Sequence, residues 1–441
     1  MKTSKHLRKK LGKAKIHEAK LWLELRKAHE NGEVHKLRGL IHRYFLSFYV
    51  RLNAVHQTNL GAKRHRKVST KKYEGIAEGL NPVTGTDEEV LVHAKEKADN
   101  PNDFRVICDF GVENRALQFM ALSILKATND VDQRQFSANG GAGAACTKVK
   151  ELFKAGYSYH AEIDIIDNYG AFNAERIPDL LNIKKEITKN TLLTKHMALR
   201  AGIMEDVVDL EWYDVECDPI SAEILSKARQ GLPQGSGASS FVSDLLLSPL
   251  LQHLPEGSEI VAYADNFMVM SRSKPDATST IEALRHALLE HPAGPLRSTC
   301  SDLYGPGERF RFLGYDFKPK LGMYRLYPME ESRGKFESIF STLLNRISVP
   351  GLTARQRKKR HQDLHRYVCS WTSSYSLWSG ASELRNQKLT LARKRMDAHK
   401  KPKHFLQSKK SKTGPTKGVK IIEANSSDHT KSRNTDTPPW E

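Results

Sequence analysis

Two short stretches of the sequence place carboxylates at the ends of predicted strands. In IVAYADNFMVM, residues 260–270, two apolar runs flank Ala-Asp-Asn, which puts Asp265 and the neutral Asn266 at a predicted hairpin tip. In SYHAEIDIIDNYGAFN, residues 158–173, apolar and polar residues alternate as on a half-buried strand, with Asp164 and Asp167 at or just past its end. Taken alone, Asp265 and Asn266 are ordinary turn residues, because such side chains bond nearby backbone groups.

The two strand ends predict a metal site if they lie side by side. Asp164 and Asp265 would then meet, and two carboxylates at short range are costly unless a divalent cation lies between them. Hard oxygen ligands suit Mg²⁺, which is held together with water and substrate phosphates. Two such ions about 4 Å apart activate an attacking hydroxyl and stabilise a leaving pyrophosphate. The pattern predicts phosphoryl transfer with two Mg²⁺ ions, Mn²⁺ being the alternative ion.

The pattern of helices and strands that must position these residues is typical of an α+β protein. Apolar periodicity predicts one helix from Leu7 to Glu30, with Gly32 as its stop signal, and a second from Val34 to about Gln57. The basic segment 61–72 is either an ordered loop over nucleic acid or a plain linker. Mixed strands and helices follow to about residue 325, and three further helices come after them.

This order predicts four parts of the chain. They are a basic helical N-terminal extension (1–75), a mixed α/β part (76–325), a separate helical unit (326–398) and a basic tail (399–441). The tail is poor in large apolar residues and is expected to be disordered.

Charge is concentrated at the two flanks of the 441-residue chain, whose net charge is +19. Residues 1–80 carry 20 Lys or Arg against 6 Asp or Glu, and residues 351–420 carry 19 against 3. Basic flanks around a mildly acidic centre are typical of a nucleic-acid enzyme with a carboxylate metal site. Solvated charged helices are the alternative interpretation.

The cysteines and the hydropathy pattern indicate the cytoplasm. Five cysteines include no CxxC pair, which argues against a zinc module or a disulfide framework and for a reducing compartment. No apolar run approaches the roughly 20 residues that cross a bilayer, and the basic start has no apolar signal core after it. We therefore expect no membrane partner.

Five motifs in order resemble the fingers and palm signatures of reverse transcriptases. They are FRVICDFGVENRALQ (104–118), DIIDNYGAF (164–172), GLPQGSGASS (231–240), YADN (263–266) and RFRFLGYDF (309–317). The resemblance is closest to group II intron maturases and their bacterial relatives, which also carry a helical N-terminal segment and a thumb-like region, and it covers roughly residues 25–380. It implies a right-hand polymerase with an antiparallel palm sheet, a helical N-terminal extension and a helical thumb.

The resemblance assigns roles to the two acids and to the residues around the incoming nucleotide. Asp164 and Asp265 match the catalytic metal ligands, with the Ile165 carbonyl as a further ligand. Tyr169 matches the bulky residue that obstructs a ribose 2′-hydroxyl and so favours deoxynucleotides, although a buried core aromatic is the alternative. Arg105 matches the triphosphate contact, where a guanidinium holds two oxygens at once.

Two loops complete the implied site. Gln234 and Gly235 match the loop that supports nucleotide and template, although GLPQGSG is also an ordinary turn sequence. The hairpin that grips the primer end is matched by Phe312, Leu313, Gly314 and Tyr315, and a buried hairpin without function would look the same. The implied partners are an RNA template with structure of its own, a DNA or RNA primer and deoxynucleoside triphosphates; an oligomer is compatible with the sequence.

Three positions depart from the family pattern. Asn266 stands where a second Asp is usual, so it brings no charge to the metals, and altered activity rather than its abolition is expected; Asp167 is an auxiliary candidate for that charge. Ser240 replaces a Pro of the loop. Ser298, with Arg297 beside it, replaces a Lys before Thr299 that would protonate the leaving pyrophosphate.

The resemblance leaves more than one function open. No His-Asn-His nuclease follows the thumb-like region, so target cleavage of the mobile-intron kind is not expected from this polypeptide. An RNA-directed DNA polymerase in an intron-like, domesticated or antiphage-defence setting is the main hypothesis. The alternatives are an RNA-directed RNA polymerase and an RNA-binding maturase or scaffold with a weakened polymerase site.

Overall fold

A computed structural model describes residues 4–97, 100–202, 219–252 and 255–398 of the chain. The tail 399–441, for which the sequence predicts disorder, lies outside the described residues. The described chain contains fifteen α-helices and ten strands, whose bounds are given below.

Four helices form the N-terminal part. Ser4 caps the first, since its hydroxyl accepts the Leu7 N–H at 3.2 Å, and Gly32 follows its end in the left-handed region at φ 67°. The predicted second helix is wrong in its length, because Ser47 takes an extended conformation and caps a new helix through the Val50 N–H. The helices are α1 (Lys5–Glu30), α2 (Val34–Leu46), α3 (Phe48–Gly61) and α4 (Tyr73–Gly79).

The basic segment 61–72 is held against the end of a strand. The Asp109 carboxylate at that strand end accepts a hydrogen bond from Lys63 Nζ at 3.3 Å and is bonded to His65 Nε2 at 3.0 Å. The Asp109 backbone carbonyl accepts a hydrogen bond from Arg66 Nη2 at 2.5 Å. The segment is therefore an ordered loop, and its predicted position over nucleic acid stays a prediction. The segment contains two short 3₁₀ turns, Arg64–Arg66 and Thr70–Lys72.

A three-stranded sheet in the order β2-β1-β4 lies beside the segment 219–228. β1 and β2 form an antiparallel pair, while β1 and β4 run parallel. The elements from this sheet to the next are β1 (Val90–Lys97), β2 (Asn100–Asp109), α5 (Val112–Thr128), α6 (Gly141–Lys154), β3 (Tyr159–Ile165), α7 (Asn168–Ala171), α8 (Ile177–Leu180), α9 (Lys185–Leu192), β4 (Leu199–Ala201), α10 (Pro219–Ala228) and α11 (Ser239–Leu247).

The central sheet is antiparallel, in the order β5-β6-β3-β7. Side chains on a strand alternate between its two faces, so Ala161, Ile163 and Ile165 are buried while Glu162 and Asp164 point to the opposite face, half-buried. Its remaining elements are β5 (Ser258–Tyr263), β6 (Asn266–Ser271), α12 (Lys274–Leu289) and β7 (Ser298–Cys300). Short 3₁₀ turns lie at Thr194–His196 and Ser248–Leu251.

A third small sheet and three helices complete the described chain. The sheet has the order β10-β9-β8, and Phe310 and Phe312 pack with Val261 and Met268 of the central sheet. The three helices predicted after the mixed part are present and share a small apolar core of their own. The elements are β8 (Phe310–Phe312), β9 (Tyr315–Lys320), β10 (Met323–Pro328), α13 (Glu330–Ile347), α14 (Ala354–Ser374) and α15 (Ala381–Ala398).

One apolar core joins the N-terminal helices to the central sheet. It contains Leu25 of α1, Leu52 of α3, Leu117 of α5, Ile163 of β3 and Val242 of α11, all fully buried. The N-terminal helices are thus packed on the part that carries the predicted site. Among the described residues, none of the helices combines the length and apolar character that a membrane span requires. The predicted α+β class is confirmed.

Candidate active site

The predicted acids lie at the same end of two paired strands. Asp164 of β3 lies directly opposite Asn266 of β6, and the Ile165 N–H donates to the Asp265 carbonyl at 3.3 Å. The turn between β5 and β6 carries Ala264 at φ 54° immediately before Asp265. The structure therefore brings Asp164 and Asp265 together across 101 positions of sequence.

Both carboxyls are electrostatically perturbed. Burial, followed by the charge of Asp265, raises the pKa of Asp164 to about 6. Burial also raises the pKa of Asp265, while the positive charge of Arg105 opposes that rise. Desolvation and mutual repulsion both disfavour the ionised forms, and a cation between the two groups would favour them again.

Two further acids belong to the same neighbourhood and were missed in the sequence. Burial raises the pKa of Glu162 to about 7, with a further contribution from Asp164, and burial raises that of Asp244 to about 6, with a further contribution from Asp265. A signal existed for each of them. Glu162 is two residues before Asp164 and so shares its strand face, and Asp244 is a lone acid in the otherwise apolar and hydroxylic helix α11, SSFVSDLLL.

The raised pKa values define a pH window. They exceed the ordinary values of Asp and Glu, so the folded chain binds these protons more tightly than the unfolded chain does. The stabilising contribution of these acids is therefore present near pH 4 and is lost as the pH rises through about 6 to 7. A divalent cation would offset that loss, because it binds the ionised forms.

The donor set fits a hard cation that also binds substrate. Within the described ranges, no three His, Cys, Asp or Glu side chains are arranged to hold a metal ion by themselves. Mg²⁺ is usually held by one or two carboxylates together with waters and substrate phosphates. Asp164 and Asp265 provide that smaller set, and Ile165, whose carbonyl is the predicted further ligand, directly follows Asp164 on β3.

A cavity of about 210 Å³ is lined by two of the four predicted nucleotide contacts, Arg105 and Gln234, and not by Tyr169 or Gly235. Arg105, Asp167 and Gln234 line it, together with Lys227 of α10, which sequence reasoning missed. The Lys227 Nζ lies 4.0 Å from the centre of the Phe104 ring. Two cationic side chains at one cavity can bind a polyphosphate.

The loop at 231–237 is fastened to β2 at this cavity. The Cys108 N–H donates to the Gln234 carbonyl at 2.7 Å, and Gly235 follows at φ 107°. A Cβ at Gly235 would lie 2.2 Å from the Cys108 carbonyl oxygen. Only glycine therefore allows this approach between loop and strand.

Tyr169 is half-buried and held at its backbone. Its carbonyl accepts the Leu232 N–H at 2.8 Å. Burial, followed by the charge of Asp265, raises the pKa of its hydroxyl, and the Ser240 side chain opposes that rise. The serine that departs from the family pattern thus interacts electrostatically with the residue to which the resemblance gives sugar selection.

In the hairpin between β8 and β9 the aromatic rings are buried, which leaves the backbone of the turn as the part that can contact a primer. Phe312 and Tyr315 are buried, and the Tyr315 hydroxyl donates to the Ser374 carbonyl at 2.9 Å. The turn residues Leu313 and Gly314 have φ 46° and 81°. Any grip on a primer end would therefore involve the turn backbone.

A family profile decides the class of protein. The reverse transcriptase (RNA-dependent DNA polymerase) profile matches residues 94–316, which is just over half of the chain. The chain belongs to the reverse transcriptase family. The predicted right-hand polymerase fold is thereby confirmed, and the match includes every position assigned to metal, nucleotide and primer grip.

The other comparisons found either no match or a more distant similarity. No protein of curated function matches the sequence. A solved structure of telomerase from Candida albicans, in complex with a TWJ fragment of telomeric RNA, is similar with 11% identity and a TM-score of 0.36. The similarity covers 72% of this chain and 63% of the telomerase chain, so this chain spans less than two thirds of that protein.

Proposed function

We propose that the protein is an RNA-directed DNA polymerase that extends a primer by two-metal phosphoryl transfer. The observation that carries the proposal is the juxtaposition of Asp164 and Asp265 at one end of the central sheet, beside a cavity lined by Arg105 and Gln234. Family membership supports the same chemistry.

In this proposal the two carboxylates and the Ile165 carbonyl hold Mg²⁺, with Mn²⁺ as the alternative ion. The bound ions supply charge neutralisation at the attacking hydroxyl and the leaving pyrophosphate. Burial of Asp164 and Asp265 favours this use, because a cation strengthens its hold on carboxylates that water screens poorly.

The chain's own residues orient the nucleotide. Arg105 and Lys227 neutralise the triphosphate, and Gln234 with the backbone of Gly235 supports the base and the template. Tyr169 packs under the sugar and excludes a ribose 2′-hydroxyl. The Leu313–Gly314 turn, with Phe312 and Tyr315 anchoring it, positions the primer end.

The flanking parts are proposed to bind nucleic acid. The extension 1–75 and the thumb-like helices 326–398 would contact the RNA template and the DNA or RNA primer around the fingers and palm at 76–325. The resemblance of residues 25–380 to group II intron maturases supports an intron-like, domesticated or antiphage-defence role in the cytoplasm.

Primer extension on an RNA template tests the proposed function. We expect wild-type protein to incorporate deoxynucleotides with Mg²⁺ or Mn²⁺, and Asp265→Ala to lose at least about 10³-fold in rate. Asp179→Ala is the matched control, because Asp179 is an exposed aspartate paired with Lys185. Incorporation of ribonucleotides alone, or tight RNA binding with no synthesis under either metal, would contradict the proposal.

A further inference from the structure

The residue before Asp265 holds a backbone conformation that its own side chain disfavours. Ala264 is a non-glycine residue at φ 54°, in the left-handed region where a Cβ is crowded by the backbone. Residues persist in that region only where neighbouring contacts hold them there. On its other side Asp265 is fixed by the neighbouring strand, because its carbonyl accepts the Ile165 N–H at 3.3 Å. The position of the Asp265 side chain therefore depends on what holds Ala264.

Two side chains from outside the hairpin bond both backbone groups of Ala264. The Ala264 N–H donates to the Ser137 hydroxyl oxygen at 3.2 Å, and Gln135 Nε2 donates to the Ala264 carbonyl at 3.1 Å. The Ser137 hydroxyl in turn donates to Gln135 Oε1 at 3.1 Å. The three residues thus form a closed ring of hydrogen bonds, in which each bond polarises the next.

The segment that carries Gln135 is itself fixed to the central sheet. The Ala262 N–H of β5 donates to the Arg134 carbonyl at 2.9 Å, and the Phe136 N–H donates to the Ala262 carbonyl at 2.7 Å. Gln135 is fully buried, and a buried amide without hydrogen-bond partners is costly. Because the ring supplies the partners of that amide, another conformation of Ala264 would leave it unsatisfied.

We propose that Gln135 and Ser137 are positioning residues for the cation site. They hold the turn in its left-handed conformation and so set where the Asp265 carboxylate lies relative to Asp164. This inference rests on the proposed function. A group that fixes a metal ligand raises the affinity for the cation, because the ligand then has less freedom to lose on binding. Here the support reaches the ligand through the backbone of the preceding residue, from side chains 127 and 129 positions earlier in the chain.

Hydrogen–deuterium exchange of the metal-free full chain, read by mass spectrometry on peptides that span the turn, tests the hold on Ala264. We expect Ser137→Ala to speed exchange of the turn amides about tenfold or more, since an amide exchanges when its hydrogen bond opens. Ser137→Thr keeps the hydroxyl and should exchange within about threefold of wild type. Ser338→Ala, which changes an exposed serine of α13, is the control.

Mn²⁺ binding to the same variants, followed by electron paramagnetic resonance without nucleotide or template, tests the consequence for the cation. We expect Ser137→Ala and Gln135→Met to weaken binding about tenfold or more, the usual cost of losing a group that supports a metal ligand. Methionine keeps the length of the glutamine side chain and removes its amide. Ser137→Thr should bind Mn²⁺ within about threefold of wild type. Thermal unfolding verifies that each variant is folded.

The outcomes separate this inference from the proposed function. Faster exchange in Ser137→Ala with unchanged Mn²⁺ affinity assigns the ring to folding alone and overturns the inference. Unchanged exchange, or an equal loss of affinity in Ser137→Thr, overturns it as well. In each of these cases, loss of Mn²⁺ binding in Asp265→Ala leaves the proposed function intact. If Asp265→Ala binds Mn²⁺ as wild type does, or wild type does not bind it, the inference fails together with the proposed metal site.

Discussion

The carboxyl groups of Asp164, Asp265 and Asp244 all have pKa values above the ordinary aspartate value, and burial is the largest cause for each. At the scale of single residues, the site therefore consists of charges whose ionised forms are poorly solvated. Next to them, the Ser240 side chain, at the position where the family usually has Pro, opposes the rise that burial causes in the pKa of the Tyr169 hydroxyl.

Sugar selection tests this contact at the residue scale. We expect Tyr169→Ala to raise ribonucleotide incorporation at least about tenfold relative to deoxynucleotide, which corresponds to roughly 1.4 kcal/mol. Ser240→Ala and Tyr169→Phe each remove one of the two interacting hydroxyls; a neutral hydrogen bond contributes about 0.5–1.5 kcal/mol, so each substitution should shift the ratio about two- to tenfold. The measurement is kcat/KM for each nucleotide type on the same primer and template.

The double variant Ser240→Ala, Tyr169→Phe is the control for that prediction. If the two hydroxyls act as one pair, the double variant should resemble either single variant rather than their product. Tyr169→Ala with an unchanged sugar preference would show that the ring is a core aromatic without a role in selection.

At the scale of elements, the loop 231–237 is the part that joins β2 to the short helix α7 at Tyr169. Gly231 has φ 54°, and a Cβ there would lie 1.8 Å from the Tyr169 carbonyl oxygen. Gly235 approaches the Cys108 carbonyl on the opposite side. The two glycines thus allow the loop backbone to contact both the Tyr169 backbone and the Cys108 backbone. A side chain at either glycine would force the loop away from that neighbour.

Gly235→Ala tests the junction of loop and strand. We expect a loss of unfolding free energy of at least about 1 kcal/mol, because the left-handed conformation and the clash both penalise a Cβ. KM for deoxynucleotide should rise as Arg105 and Gln234 move apart. Thermal unfolding and steady-state kinetics measure the two effects.

Gly237→Ala is the matched control in the same loop, since a Cβ there meets nothing within 4 Å. It should leave both the melting temperature and KM close to wild type. Equal effects of the two substitutions would show that the backbone approach at Gly235 does not matter for the cavity.

At the scale of the whole molecule, the shared core makes the N-terminal helices part of the polymerase fold. Leu25 of α1 packs in the same core as Ile163, which neighbours Asp164. The three C-terminal helices differ, because Phe336, Leu364 and Val368 form a separate small core. Loss of packing in α1 should therefore reach the active site, whereas the C-terminal helices have most of their buried apolar side chains in a core of their own.

Leu25→Ala tests that coupling. The side chain is fully buried, and truncating a buried leucine costs about 2–5 kcal/mol. We expect one unfolding transition at lower temperature, with polymerase activity lost along the same curve. Differential scanning calorimetry and activity after incubation at each temperature measure it.

Leu23→Ala, on the same helix, is the control because Leu23 is 54% exposed. It should change the unfolding free energy by no more than about 0.5 kcal/mol. A separate early transition in Leu25→Ala, with synthesis intact above it, would contradict a common core.

The sequence by itself determined which residues have the right chemistry and on which elements they lie. Alternation with period two predicted the strand end at Asp164, two apolar runs around Ala-Asp-Asn predicted the hairpin tip at Asp265, and the order of motifs predicted the reverse transcriptase fold, because all three are local or sequential signals. The prediction of one continuous second helix from Val34 to about Gln57 was wrong, because Ser47 ends α2 and caps α3. The tertiary structure alone decided that Lys227 lines the cavity and that Ser137 bonds the backbone of the catalytic turn. These contacts depend on how distant elements pack, and no spacing along the chain encodes that packing.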